Sequence, residues 1–545
     1  MKLRKADRPE PRHAAPNPRP EIIPAATEQD LHIERTRARH LAEQHNLGVA
    51  DLRTTSPEPV AAALLDERTA RTLVAVPLEL RDDLVVVAVA DPAVLDELQT
   101  ALGRRVALEV AAPTDVLHAI GTAYRALTGI DDRVKVFEAR DAVRKDIRDE
   151  STGASEDAPV VQVVQLVITQ ALRDRASDVH IEPHGDRVRV RYRIDGALHD
   201  VLELPGSIGP AVVSRIKILA DLNIVERRRP QDGQISMDVE GRPVDIRVSA
   251  TAVVGGEKVV LRLLDKSRPL YRLEQLGMPD QMAVRYSGLL RAPYGMVICA
   301  GPTGSGKTTT LYGSLGEINS PERNIMTIED PVEYTFDSIN QIQINEAAGI
   351  TFAGGLRSIL RQDPDVILVG EVRDVETARI AVQSALTGHF VLSSLHATDA
   401  ATALHRLLDM GIETFLIASS VTAVVSQRLV RRVCSNCREY YEPKAEELAF
   451  LASAGGRAPD DGFIRGAGCN FCAHTGFLER TGVYELMPVS DAIRELVVDR
   501  AAHDEIRKVA RYEGMRTLTE EGIRLAEAGV TTIGEVMRSI YMVGS

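Results

Sequence analysis

Apolar residues follow two rhythms along this chain. Leu84-Val85-Val86-Val87-Ala88-Val89 is a continuous apolar run, predicting a buried strand, and Asp91-Pro92 after it marks a turn and a helix start. With the helix-like stretches around it, this predicts a small α/β domain over residues 33–127. From Arg187 to Ile194 the rhythm changes to strict alternation: Val188, Val190, Tyr192 and Ile194 take one face, and Arg187, Arg189, Arg191 and Arg193 the other. That strand belongs to a second domain over 158–268. Its guanidinium face is either a solvated surface or one turned toward a neighbouring subunit or an anionic ligand. From 269 to 545, strands and helices succeed one another in the βαβ manner of a parallel sheet covered on both sides. Ala378, Ala381, Val382, Ala385 and Leu386 recur at helical spacing between Asp374 as N-cap and Gly388 as stop, so that helix is core packing.

Residues 1–32 and 128–157 break the pattern. The first 20 residues hold six Lys or Arg, two acids and five prolines, with no apolar region behind them, as in a disordered basic tail rather than an export signal. The second stretch is dense in charge and reads as a linker, partly helical. The 545 residues hold 65 Lys plus Arg against 78 Asp plus Glu, a net charge of −13 that argues against a general nucleic-acid coat. The smooth run from Thr414 to Gln427 is too short to span a bilayer. Five cysteines are too few for a disulfide framework, and the expected compartment is the reducing cytoplasm.

The chemistry begins at Gly301-Pro302-Thr303-Gly304-Ser305-Gly306-Lys307-Thr308, a G-x-x-x-x-G-K-[ST] phosphate loop between the apolar strand Met296–Ala300 and a helix-competent stretch from Thr309. Gly301, Thr303, Gly304, Ser305, Gly306 and Thr309 would offer backbone N–H groups and hydroxyls to ATP. Lys307 would hold the β and γ phosphates, and Thr308 would ligate Mg²⁺. Asp365–Gly370 is an apolar strand ending at Glu371, placed to orient the Mg²⁺ shell or polarise attacking water. Between them lies Ile328-Glu329-Asp330-Pro331-Val332-Glu333. His389 and His396 flank a further strand, and each is either a satisfied structural histidine or a catalytic one. Cys434, Cys437, Cys469 and Cys472 form two C-x₂-C pairs with 31 residues between them, spacing that suits a closed tetrahedral Zn²⁺ site; free thiols or a redox pair are the alternative.

Taken as a set, these motifs resemble the secretion-ATPase superfamily, specifically the assembly ATPases of type IV pili and type II secretion systems. The likeness rests on the phosphate loop with its following threonines, the acidic box at 328–333, Leu356–Glu371, Thr387–His396, and Ala176–Pro183 with Arg229-Pro230-Gln231-Asp232-Gly233 in the second domain. It implies an α/β multidomain architecture: a RecA-like P-loop domain, preceded by a PAS-like α+β domain and a small N-terminal docking domain. It also implies a homohexamer at the inner face of the cytoplasmic membrane, bound to platform and docking proteins and using ATP, Mg²⁺ and Zn²⁺. By the same resemblance Glu371 is the catalytic glutamate, Glu329 an auxiliary acid and His396 a γ-phosphate sensor. Arg247 and Arg262 reach the phosphates from the second domain, and Arg357 and Arg361 from the P-loop domain. Such arginines are worth about 10³–10⁵ in rate in other NTPases.

Two features depart from the family pattern: Gln234 stands where Arg is common, and the histidine box reads His396-Ala397-Thr398-Asp399, where Thr and Asn usually follow the histidine. The tetracysteine insert points to assembly rather than retraction ATPases. No cyclic di-GMP binding is expected, because the Arg-Leu-Gly-containing motif of some relatives is missing ahead of Glu34. Two other classes stay open, a nucleotide-gated binding protein and a nucleic-acid translocase of the conjugation branch. Complete acid, histidine and arginine sets weigh against the first; overall acidity and the cysteine insert weigh against the second.

Overall fold

The computed structural model describes residues 28–124, 130, 134–139, 159–265, 272–459 and 462–540. The basic tail falls outside the described residues up to 27. From Glu28 the chain is already helical, through His45, because Pro24 is the last proline before a helix-competent run. The chain divides into two units, Met1–Ala123 and Tyr124–Ser545.

In the first unit, strands β1 (Gly48–Val49), β2 (Ala75–Arg81), β3 (Leu84–Val89) and β4 (Arg105–Val110) form a sheet in the order β1-β4-β3-β2. The apolar run of β3 is buried from Val85 to Val89, and Asp91 caps the turn by accepting from the Ala93 N–H. Arg35 of the first helix donates two hydrogen bonds of 2.8 Å to Asp115 at the start of the helix Pro113–Ala123.

In the second unit, residues 134–139 of the charged, partly helical stretch are helical, and Ile130 and Val134 are packed in the core of the following domain rather than standing free as linker. The remainder of the linker lies outside the described residues. The domain itself is a six-stranded antiparallel sheet of β5 (Asp178–His184), β6 (Arg187–Ile194), β7 (Ala197–Pro205), β8 (Gln231–Val239), β9 (Arg242–Val253) and β10 (Gly256–Asp265), in the order β7-β6-β5-β10-β9-β8. The helices Pro159–Arg173 and Gly209–Leu219 cover its apolar face, where Val188, Val190 and Tyr192 are buried. The guanidinium face of β6 is answered within the chain. Arg189 and Arg191 reach Glu182 at 3.3 and 2.8 Å, Arg193 reaches Asp178 at 3.6 Å and Arg187 reaches Glu203 at 3.3 Å. Burial alone would raise the Glu182 pKa, but Arg191 and Lys258 outweigh it and hold the carboxyl at about 2.

The third sheet holds β11 (Gly295–Ala300), β12 (Ile325–Glu329), β13 (Asn340–Gln343), β14 (Val366–Val369), β15 (Phe390–Leu395), β16 (Val421–Val433) and β19 (Phe477–Pro488), in the order β13-β12-β14-β15-β11-β16-β19. All neighbours are parallel except β16 and β19. Alternation along β11 feeds two cores: Met296, Ile298 and Ala300 pack on one side, Val297 and Cys299 on the other. The apolar run from Thr414 splits into the helix Thr414–Ser420 and the start of β16. Between β16 and β19 sits the cysteine insert, with β17 (Arg438–Tyr441) paired to β18 (Phe463–Gly466) and the helix Ala445–Ser453. The segment joining the cysteine pairs is therefore packed: Phe450, Leu451 and Phe463 meet Ile523, Ala526, Ile533 and Val536 of the C-terminal helices. Among the described residues, no helix is long and apolar enough to cross a membrane.

Candidate functional site

A parallel sheet presents the C-terminal ends of its strands along one edge, and loops leaving that edge meet there. Ala300 ends β11 beside Leu395 at the end of β15; Val369 ends β14 beside Ile328 of β12. The phosphate loop, Glu371, His396 and Glu329 consequently share one edge, although up to 95 residues separate them in sequence. His389 immediately precedes β15 at the opposite end of the strands, where its Nδ1 lies 3.1 Å from the Ser384 carbonyl oxygen, away from the edge that carries His396.

Gly301 to Gly306 lead into the helix Lys307–Ile318. Gly301 (φ +156°) packs so closely that a Cβ there would lie 2.5 Å from Ser305 Oγ and 2.8 Å from the Gln427 carbonyl oxygen. Gly306 caps the helix without a side-chain acceptor, so the first-turn N–H groups stay available to an anion. Ser305 Oγ is buried with no partner among the described residues, and Thr308 and Thr309 are exposed. These features fit a triphosphate and its Mg²⁺. Lys307 is folded onto its own loop, donating to the carbonyl oxygens of Gly301 (2.8 Å) and Pro302 (3.1 Å). Burial lowers its pKa, while Cys299 and Glu371 act in the opposite direction.

Glu371 stands two residues past β14, paired with His396 Nε2 at 3.1 Å and with Arg373 at 2.8 Å. Glu329 is buried, accepting from Thr327 Oγ1 (2.5 Å), Gln341 Nε2 (3.1 Å) and the Tyr312 hydroxyl, so the helix after the phosphate loop grips it from one side. In this chain Glu329 braces the acidic box against that helix.

The four arginines stand apart from the loop. Arg247 and Arg262 are cross-strand partners in a row that runs Gln234, Arg247, Arg262, Asp178 across four strands. Both line a cavity of ≈ 660 Å³ together with Asp232, Gln234, Asp330 and Pro331. Arg247 donates to Glu333 at 3.2 Å and Arg262 to Asp178 at 3.1 Å. Arg357 pairs with Glu376 and Arg361 donates to Ser358 Oγ at 3.3 Å. Among the described residues, none of the four hydrogen-bonds to the phosphate loop.

One supporting residue escaped sequence reading. Gln427, on β16, donates from Nε2 to the Ser305 carbonyl oxygen (2.7 Å) and accepts from the Cys299 thiol (3.2 Å), stapling the loop to the sheet. Its only signal was a polar residue inside an apolar strand. At the insert, the four sulfurs lie within 4.8 Å of one another, with Cys434–Cys469 and Cys437–Cys472 at 3.9 Å and Cys469–Cys472 at 3.8 Å. A tetrahedron with Zn–S of about 2.3 Å requires S···S of about 3.8 Å, so the group fits Zn²⁺.

A family profile described as Type II/IV secretion system protein matches residues 153–538, and another, the MshEN domain, matches 45–130. The chain belongs to the type II/IV secretion system protein family. It is similar to the Type II secretion system protein HxcR of Pseudomonas aeruginosa, with 49% identity over 381 residues, 70% of this chain and 77% of that one. To the Type IV pilus assembly ATPase PilB of Myxococcus xanthus it is 40% identical over 509 residues, 91% and 89% of the two chains. To the Type II secretion system ATPase E of Vibrio cholerae it is 44% identical over 385 residues, 71% and 76%. Among solved structures, the ATPase DotB of Legionella pneumophila superposes with a TM-score of 0.52 at 22% identity, covering 72% of this chain and 97% of DotB, a likeness of fold. The protein is thus an ATPase of the secretion family, using ATP with Mg²⁺.

Proposed function

We propose that this ATPase is the cytoplasmic motor that powers assembly of a type IV pilus or a type II secretion pseudopilus. It works as a homohexamer held at the inner membrane by platform and docking proteins. The observation that carries this reading is the Glu371–His396 pair on the same sheet edge as the phosphate loop, in a chain 40% identical over 91% of its length to a pilus assembly ATPase.

In this reading Lys307 leaves its own loop carbonyls for the β and γ phosphates when ATP arrives. Ser305 and the amides of Gly301, Thr303, Gly304, Gly306, Thr308 and Thr309 cradle the phosphate oxygens. Bound Mg²⁺, held through Thr308, neutralises charge on the phosphates. Glu371 orients the attacking water and takes its proton, with His396 reporting the γ-phosphate and Glu329 holding the acidic box. Arg247, Arg262, Arg357 and Arg361 complete the site only in the ring, which accounts for their distance from the loop within one chain. Cys434, Cys437, Cys469 and Cys472 hold Zn²⁺ as a structural site. The front domain is a protein-docking module. Since its MshEN match extends over 45–130, titration with cyclic di-GMP checks whether it also takes that nucleotide; no saturable binding is expected, and a saturable isotherm would correct the reading.

Specific ATPase activity measured against protein concentration, for wild type and Arg247→Ala, tests the motor. Turnover per subunit rising with concentration in wild type and staying flat in Arg247→Ala supports a site completed by assembly. Wild-type turnover independent of concentration, with Arg247→Ala equally active, rejects it.

A further inference from the structure

Two successive residues of β16 serve the two sides of the site. Gln427 holds the phosphate loop; Arg428, pointing the other way, enters the interior and is 7% exposed. Its Nη2 donates to the carbonyl oxygen of Thr398 (2.9 Å) and its Nη1 to that of Gln427 (3.1 Å). Among the described residues Arg428 forms no ion pair, although Asp399 and Glu485 supply opposite charge at longer range. A buried guanidinium satisfied by two carbonyls is costly where an apolar side chain would fill the space. Thr398 gives the reason for it to be there. The loop His396–Asp399 joins β15 to the helix Ala400–Asp409, and its far end is already fixed by Asp399, which accepts from the Thr402 N–H (2.8 Å) and from Arg507 (2.9 Å). Without Arg428, the stretch that carries His396 would keep between its ends, among the described residues, only the longer hydrogen bond from the Thr398 hydroxyl to Thr402 Oγ1 (3.3 Å).

We propose that Arg428 is a positioning residue for ATP hydrolysis: by holding the Thr398 carbonyl it sets the His396 loop so that the imidazole meets Glu371. The contact is to backbone, so it is indifferent to the side chain at 398 and survives the family departure there. The guanidinium charge also acts on Lys307, adding to the burial that lowers its pKa. The inference rests on the roles proposed above for His396 and Glu371.

The test measures kcat and KM for ATP, with thermal midpoints, on the full chain for Arg428→Gln, Arg428→Lys, His396→Ala and the double variant Arg428→Gln/His396→Ala. Arg428→Gln is expected to lower kcat about tenfold or more with KM within about threefold. Arg428→Lys keeps the charge but not the fork that spans both carbonyls, and should recover only part of the loss. Because Arg428 acts through His396, the double variant should be no slower than His396→Ala alone. Unchanged kcat in Arg428→Gln, a loss confined to KM, full recovery in Arg428→Lys, or additive losses in the double variant would each overturn the proposal. If Arg428→Gln does not fold, Arg428→Lys decides, and wild-type turnover in it overturns the idea. Failure of both to fold would assign Arg428 to stability alone and overturn it too. Wild-type turnover in His396→Ala would instead reject the site reading itself.

Discussion

Glu485, on β19, is 2% exposed and holds two helices by their first residues, accepting from the N–H of Ala400 (2.8 Å) and of Leu518 (3.2 Å). Burial raises its pKa to about 7 from an ordinary 4.5. The two amides and Arg507 work against burial, and nearby Asp399 works with it. Between those values the folded chain keeps a proton that the unfolded chain has lost, so stability falls as pH rises through the window. At about 1.36 kcal/mol per unit, the loss approaches about 3 kcal/mol by pH 8. Glu485→Gln stays neutral throughout. Its advantage over wild type in urea unfolding should therefore grow from pH 5 to pH 8 by up to that amount, about 3 kcal/mol. Parallel pH profiles for the two proteins would mean that Glu485 stays ionised in the fold. Glu535 is the opposite case: burial works against its charge, yet Arg538 and Arg431 hold it at about 2, so its contribution is present above pH 4.5 and lost only toward pH 2. The Thr532-Ile533-Gly534-Glu535 stretch has the spacing of a capping box but forms only half of one. Thr532 accepts from the Glu535 N–H, but the Glu535 carboxylate is taken by the two arginines.

At the level of elements, the zinc knuckles are joined to the C-terminal helices by a shared apolar cluster and by Arg438, which donates to the Gly529 carbonyl oxygen (3.1 Å). Structural zinc contributes folding free energy directly. Cys437→Ser, or a strong chelator, is therefore expected to lower zinc from one equivalent per chain toward none and to increase hydrogen exchange across 438–466 and 518–540. The strands β11 to β15, with cores of their own, should stay protected. Unchanged exchange after metal loss would show that the apolar cluster alone suffices. How much of this was legible in sequence follows from which contacts are local. The phosphate loop, β14 with Glu371, the Asp374 cap and the cysteine pairs were readable because each is a short pattern with its own stereochemistry. Gln427, Arg428 and Glu485 were not, because the partners that define their roles are 30 to 128 residues away and depend on β16 settling between β11 and β19. The arginines of β6 alternated as expected, but the carboxylates of β5 and β7 that answer them could be assigned only once strand register was known.

Among the described residues of the second unit, the sheet domain and the P-loop domain touch through charges at two places. Near the cavity, Arg247 meets Glu333. Farther along, Arg175 meets Glu479 at 2.6 Å and Arg480 meets Asp195 at 3.5 Å, with the Glu479 N–H donating to Asp195 at 2.9 Å. These pairs are part-exposed, and such pairs are worth about 0–1 kcal/mol each and weaken with salt. Contacts of that strength fix an orientation without locking it. Glu479 lies seven residues beyond Cys472, so the second place is anchored on the strand that leaves the zinc knuckle. Charge reversal separates orientation from stability. Arg175→Glu alone should leave the thermal midpoint within about 2 °C, as expected for a pair worth under 1 kcal/mol, yet change kcat at least twofold at low salt by turning attraction into repulsion. Arg175→Glu/Glu479→Arg restores the pair in the other sense and should return kcat to within about 30% of wild type, a non-additivity that only a direct contact produces. If the double variant shows the sum of the two single losses, the pair does not form in the working motor. In that event Arg247–Glu333, Arg480–Asp195 and the Glu479 N–H to Asp195 are the polar contacts left between the domains at rest, among the described residues.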